Sequence, residues 1–177
     1  MSQSVKTKDL MLSGLLLAMG ILLPMFFHSV GIMGKIFLPM HIPVLIGGFI
    51  LFPQLALFLG MVTPLVSGAL TGMPIMFPMA VIMAFELGTY GLIVSLAVRK
   101  MKLSVMPSLI IAMISGRIVA GIVVFILAQF FGLEMNPIFF IKGAIVTGFP
   151  GIGVQLVMIP SIIYGLRGIT KKKWIEG

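Results

Sequence analysis

Long apolar runs, separated only by short polar loops, are the feature that most limits what this sequence can fold into. Hydrophobic residues make up 60% of the 177 positions and charged residues 9%, and a soluble domain of this size could not cover that content with a polar surface. A helix needs about 20 apolar residues to cross roughly 30 Å of hydrocarbon, so the length suits about six crossings. The sequence therefore predicts an all-α integral membrane protein, with residues 1–177 forming one compact bundle of six transmembrane helices.

The loops divide the sequence into six predicted spans. Pro64 should kink the third span, and the Gly/Pro-rich residues 148–151 should interrupt the sixth. A short polar N-terminus, residues 1–9, precedes the first span, and a basic tail, residues 166–177, follows the last. The predicted spans cover residues 10–27, 39–52, 55–70, 78–98, 106–131 and 138–164.

The basic residues predict the orientation of the bundle. They cluster at the ends of the spans rather than on an aromatic and basic surface, so the net charge of +8 indicates topology and not nucleic-acid binding. Both termini are expected in the cytoplasm, which leaves His41, the loop beginning at Thr71 and residues 134–137 outside, together with Lys35 and Lys142. The cytoplasmic side would receive Lys6, Lys8, Arg99, Lys100, Lys102, Arg167, Lys171, Lys172 and Lys173.

Two charged residues lie near the middle of predicted spans. Glu86 shares a helix face with Thr89 and Tyr90 in the fourth span, and Arg117 lies in the fifth. At 1.5 Å per residue the two charges differ in depth by about 7 Å, which a long arginine can bridge. Each unpaired charge would cost about 2.5 kcal/mol or more, so pairing or a wet cavity is expected. The alternative to a solute site is an ion pair that only fixes helix packing.

Further candidate ligands lie near the outer ends of the spans. Each has a simpler explanation, because His41 could be solvated, Lys142 could extend to the interface and Asn136 could shape a turn. Gln155 is placed toward the cytoplasmic end and is left out of the site. Besides Glu86, Tyr90 and Arg117, the candidate solute-binding residues are His41, Met40, Thr71, Met73, Asn136 and Lys142.

Small residues line one face of several spans and would let helix backbones approach closely in lipid. The face of Gly14 and Ala18 lies on the terminal first helix and is the best placed to contact another protein. The other faces are expected to pack within the bundle. They comprise Ala56, Gly60, Pro64 and Gly68; Ala112, Gly116 and Ala120; and Gly143, Thr147 and Gly151.

The sequence lacks the motifs of several reaction types. It has no cysteine and a single aspartate, Asp9, so neither a thiolate nucleophile nor an intramembrane aspartate pair is available. It also lacks the nucleotide-binding motif G-x-x-x-x-G-K-[ST], the zinc motif H-E-x-x-H and the nucleophile motif G-x-S-x-G. We therefore expect neither an enzyme nor a bound metal or cofactor.

Three segments resemble one known family. The strings FLPMHIPVLIGGFI, TPLVSGALTGMP and MAFELGTYGL, together with the Gly14/Ala18 face and the basic cytoplasmic ends, are similar to the substrate-binding S components of energy-coupling-factor (ECF) transporters. The resemblance extends over nearly the whole chain. Members of the branch concerned are commonly assigned to pantothenate, pyridoxine, pyrimidine precursors or cobalamin.

The resemblance implies a multi-pass protein of a prokaryotic plasma membrane that captures a vitamin from outside with high affinity. It would then associate with a transmembrane coupling protein and two ATPase subunits, and topple in the membrane to release its cargo. The residue ranges 28–41, 71–74 and 132–137 would cover the site, and Gly14 with Ala18 would meet the coupling protein. The resemblance does not indicate which vitamin is bound.

Two other classes of function remain compatible with the residues. One is a membrane scaffold or assembly factor in which Glu86 and Arg117 form a purely structural pair. The other is an autonomous facilitator or channel for a small solute. A solute that copurifies with the chain would argue against the scaffold, and uptake without an ATPase partner would favour the facilitator.

Overall fold

A computed structural model describes residues 7–29 and 39–175 of the chain, and the side chains of residues 7–27 and 39–166. Lys6, residues 30–38 of the first predicted loop and the tail side chains from Arg167 onward lie outside this description. The described residues form helices and no strands, which confirms the all-α prediction. The helices are α1 (Thr7–Ser29), α2 (His41–Ile50), α3 (Pro53–Thr71), α4 (Val81–Arg99), α5 (Val105–Phe131) and α6 (Pro137–Ile175).

Helix α4 has the central position in the bundle. It packs against α2, α3 and α5. A short kinked segment, Met76–Ala80, leads into it. Helix α1 packs against α3 and α2, while α6 packs against α5 and α2. Helix α2 is therefore enclosed by α1, α3, α4 and α6, so its side chains contact protein on several sides.

Helix α2 is shorter than the predicted second span. It contains 10 residues and therefore extends about 15 Å, half of the roughly 30 Å of a hydrocarbon core. Val44 and Leu45 are completely buried, so the apolar character of α2 reflects burial in protein rather than contact with lipid. Five segments of the described chain, α1, α3, Met76–Arg99, α5 and α6, are long and apolar enough to cross a membrane. Six crossings and cytoplasmic termini stay predictions.

The C-terminal end of α2 is fixed to the end of α4. Ser95 Oγ donates a hydrogen bond to the Leu51 carbonyl at 2.8 Å, and Arg99 Nη2 donates to the Ile50 carbonyl at 2.7 Å. The Arg99 guanidinium also lies 4.6 Å from the centre of the Phe52 ring. These contacts satisfy carbonyl groups that a helix end leaves without partners. They place the opposite end of α2, with His41, toward the interior of the bundle.

Helix α6 passes through the predicted interruption. Residues 148–151 lie within the continuous helix Pro137–Ile175, which also contains Pro160 and extends beyond the predicted end at Tyr164. The prediction of a broken span was wrong, because each proline removes only one backbone donor. In an apolar environment the remaining backbone groups have no better partners than those within the helix.

Some of the small-residue faces are buried between helices, and others are exposed. A β-carbon at Gly60 would collide with the Leu87 carbonyl group, and one at Gly91 would collide with that of Ala56, so α3 and α4 touch through their backbones. This confirms the packing role predicted for the α3 face, and Ala112, Gly116 and Ala120 on α5 are likewise buried. On α6 the prediction was wrong for two residues, because Gly143 and Thr147 are exposed.

Candidate functional site

The two mid-membrane charges form an ion pair between α4 and α5. Arg117 Nη1 lies 2.8 Å from Glu86 Oε1, and the Tyr90 hydroxyl donates a hydrogen bond to the same oxygen at 2.9 Å. Glu86 and Tyr90 are buried, and the Arg117 side chain is 13% exposed. The predicted pairing of the two charges is thus confirmed. The pair lowers the cost of burying either charge, since each faces its counter-charge in an interior of low dielectric constant.

A glycine beside the arginine brings the two helices together. A β-carbon at Gly116 would overlap the Tyr90 ring and approach the Glu86 carbonyl at 3.1 Å. The absence of a side chain at Gly116 therefore lets α4 and α5 approach closely at the level of the ion pair. Tyr90 is positioned by Gly116 on one side and by its hydrogen bond to Glu86 on the other.

A cavity of about 440 Å³ lies between α5 and α6 and reaches inward to α2 and α4. Its polar lining residues come from four helices, since His41, Tyr90, Arg117 and Gln155 belong to α2, α4, α5 and α6 respectively. Glu86 is not among the lining residues and reaches the cavity only through Arg117 and Tyr90. The apolar lining residues are Ile110, Met113, Ile114, Ile118, Ile141, Ile145, Ile152 and Leu156.

Some of the side chains that line the cavity carry buried nitrogen atoms without hydrogen-bond partners. Within residues 7–27 and 39–166, buried side-chain nitrogens without a hydrogen bond are His41 Nδ1 and Nε2, Arg117 Nε and Gln155 Nε2. His41 and Gln155 are 2% and 1% exposed. A buried donor without an acceptor costs about 1–3 kcal/mol, and all of these side chains line the same cavity. The cavity thus combines a mostly apolar lining with a few polar side chains, a composition common in small-molecule sites.

Gln155 is the functional candidate that sequence reasoning left out. Its distance along the sixth span suggested a location near the cytoplasmic end, but in the structure it lines the same cavity as Arg117. The sequence feature that could have identified Gln155 was its side-chain amide, not its position along the span. An amide within an apolar span is costly to bury and is expected to face a partner or a cavity.

His41 was expected at the outer end of the second span, accessible from outside, and is the buried first residue of α2. Its ring centre lies 5.6 Å from that of Tyr90, with the planes at 58°. Met40 is also buried, 4% exposed, but packs in the apolar core of the bundle rather than in the cavity wall. His41 and Met40 are both buried because other helices enclose α2 and the residue that precedes it.

The other candidate ligands do not line the cavity. The Thr71 hydroxyl is used within its own loop, where it donates to the Ser67 carbonyl at 2.8 Å and accepts from the Met73 backbone N–H at 3.2 Å. Asn136 Oδ1 accepts from the Ile138 backbone N–H at 2.9 Å and caps the start of α6. Met73 and Lys142 are exposed. A role for these residues in binding stays a prediction.

The face of α1 predicted to meet another protein is not covered by the described part of the chain. Gly14 and Ala18 are exposed, and a β-carbon at Gly14 would have no neighbour within 4 Å. Large side chains around them are exposed as well, with Met11 at 72% and Leu15 at 59%. A helix face of this kind can lie against lipid or against a partner helix.

Comparison with known proteins assigns one family to this architecture. A family model described as "ECF transporter, substrate-specific component" matches residues 8–163, a range that includes the ion pair and the whole cavity lining. No curated protein and no solved structure matches the chain. Among the residues that the structure describes, no group of three or more histidine or acidic side chains could hold a metal ion.

Proposed function

The chain belongs to the family of ECF transporter substrate-specific components, and from this premise we propose that it captures a vitamin or vitamin precursor in the cavity between α5 and α6. Family membership makes it a substrate-specific transporter subunit in the cell membrane. The proposal adds the location of the site and the size class of the substrate. The protein itself would have no catalytic role, and ATP hydrolysis would belong to partner subunits.

The convergence of unpartnered nitrogens on one apolar cavity is the observation that carries the proposal. His41, Arg117 and Gln155 come from three different helices, and each leaves at least one buried nitrogen without an acceptor or donor. A purely structural ion pair between Glu86 and Arg117 would not require an unpartnered glutamine and histidine beside it. A bound solute would satisfy these groups and recover the cost of their desolvation.

The volume of the cavity favours a small vitamin. A volume of about 440 Å³ lies within the roughly 300–1,000 Å³ of small-molecule sites. Pyridoxine, pantothenate and pyrimidine precursors are of this size, whereas the corrin ring system of cobalamin is several times larger. We therefore place the substrate among the small vitamins and their precursors.

Delivery of the solute would require partner proteins. In this proposal the protein docks a transmembrane coupling protein through the Gly14 and Ala18 face of α1, and two ATPase subunits drive release inside. The support for this surface is that both residues are exposed on a terminal helix. The docking surface lies on a helix that contributes no lining residue to the cavity, so solute binding and docking are expected to be separable.

The proposed orientation predicts which positions can be labelled from outside. With both termini cytoplasmic, a single cysteine introduced as Asn136→Cys should react with a membrane-impermeant maleimide on intact cells. Lys100→Cys and Lys172→Cys should react only after the membrane is permeabilised. The native chain has no cysteine to interfere. Labelling of the two lysine positions but not of Asn136→Cys would show that the orientation is reversed.

The function is tested by extracting the purified chain with organic solvent and identifying any small molecule by mass spectrometry. We expect one vitamin-sized compound, near one per chain, and uptake into vesicles only when the coupling protein and ATPases are present. A chain that carries no solute and binds none would support the scaffold alternative. Uptake by the isolated chain without ATP would instead indicate a facilitator.

A further inference from the structure

The cavity also indicates the charge class of the ligand, an inference that rests on the proposed function. Arg117 is the charged residue among those that line the cavity. Its guanidinium is already paired with Glu86 at 2.8 Å. The formal charge of this buried pair is therefore zero, and neither His41 nor Gln155 brings a fixed charge.

The free hydrogen-bonding atoms indicate which groups the ligand must present. Arg117 Nε and Gln155 Nε2 are donors without acceptors. His41 has two unpartnered ring nitrogens, and a neutral imidazole offers one donor and one acceptor. A ligand that satisfies all four atoms must offer acceptors to Arg117 Nε and Gln155 Nε2, and both an acceptor and a donor to His41. Amide carbonyls and heteroaromatic ring nitrogens are groups of this kind.

The remaining wall sets the character of the rest of the ligand. Six isoleucines from α5 and α6 form most of the apolar lining, and they can contact only an apolar body without loss of hydrogen bonds. They are Ile110, Ile114, Ile118, Ile141, Ile145 and Ile152.

From these observations we propose that the site selects an uncharged organic molecule with hydrogen-bond-accepting carbonyl or heteroaromatic groups and an apolar body. A carboxylate ligand would have to share Arg117 with Glu86 and would leave one uncompensated negative charge in the apolar cavity. Burial of an unpaired charge costs more than burial of a hydrogen-bonded neutral group. An uncharged acceptor satisfies Arg117 Nε and Gln155 Nε2 without adding charge.

The test uses pairs of probes that share a skeleton and differ in a carboxylate. Pantothenol and pantothenate, pyridoxine and 4-pyridoxate, and nicotinamide and nicotinate are titrated into the purified full chain by isothermal calorimetry. In any pair that binds, we expect the uncharged member to bind at least about 10-fold more tightly, which corresponds to the loss of roughly 1.4 kcal/mol. Tighter binding of the carboxylate member would overturn the proposal.

If no probe binds, the charge of the solute extracted from the protein tests the proposal independently. An uncharged solute supports the proposal, and a carboxylate or phosphate overturns it. A chain that holds no solute and binds no probe would overturn the proposed function itself, and this inference with it. The two failures are therefore distinguishable.

Gln155→Glu tests the donor directly, because it replaces the amide nitrogen by an oxygen that cannot donate when ionised. We expect binding of the uncharged ligand to weaken by about 10- to 100-fold, the range expected for a lost buried hydrogen bond. Gln129→Glu is the matched control, since Gln129 is exposed at the end of α5 and should leave binding unchanged. Unchanged binding in Gln155→Glu, in protein whose melting temperature matches that of the control, would contradict the assignment of a donor at Gln155.

Discussion

Replacing Arg117 with methionine is expected to abolish measurable solute binding and to lower the stability of the bundle. The variant removes Nε from the cavity and leaves Glu86 buried without its counter-charge. Removal of one partner of a buried ion pair typically costs on the order of 3 to 5 kcal/mol. Glu86→Gln should also weaken binding, because Arg117 would lose the carboxylate that orients it. Binding is measured by calorimetry, and stability by thermal unfolding in detergent.

The double variant Glu86→Gln with Arg117→Met separates the structural role from the binding role. It removes both charges, so we expect most of the lost stability to return while binding stays absent. The Tyr90 hydroxyl can still donate to the glutamine oxygen in this variant. Recovery of binding together with stability would show that the ion pair is purely structural. An unchanged dissociation constant in both single variants would place the solute site elsewhere.

Enlarging the small-residue face of α1 is expected to abolish ATP-dependent uptake and leave solute binding intact. Gly14→Leu with Ala18→Leu adds two large side chains to a face that is exposed in the described part of the chain. The steric bulk should prevent close approach of a partner helix, while the cavity between α5 and α6 is unaffected. The measurements are uptake into vesicles that contain the full set of subunits, copurification with the coupling protein, and calorimetry on the isolated chain.

Gly143→Leu provides the matched control for this variant. Gly143 is also exposed, and a β-carbon there would have no neighbour within 4 Å, but it lies on α6. It should support normal uptake if the coupling protein docks on α1. Unimpaired uptake by the α1 variant would show that the partner docks on another helix. Loss of solute binding along with uptake would show that the α1 face affects the fold of the bundle.

The ion pair between Glu86 and Arg117 shows what can and cannot be predicted from the sequence. A charge in a hydrophobic segment is so costly that a partner or a wet cavity is expected, and the similar depth of Glu86 and Arg117 made each a possible partner of the other. The argument could not determine what else the pair would face. The cavity depends on the separation of α5 and α6, which is set by side chains from several helices.

The sequence by itself determined the helical membrane class and the approximate limits of the long spans, and it required Glu86 and Arg117 to be paired or to face a wet cavity. Each of these follows from the free energy of transfer out of water. The tertiary structure decided that α2 is a short buried helix and that His41 and Gln155 meet at one cavity. Hydropathy predicts that a residue is removed from water, but it does not distinguish whether lipid or protein then surrounds that residue. Which polar side chains converge depends on the rotation and tilt of each helix, and these are fixed only when the helices pack against one another.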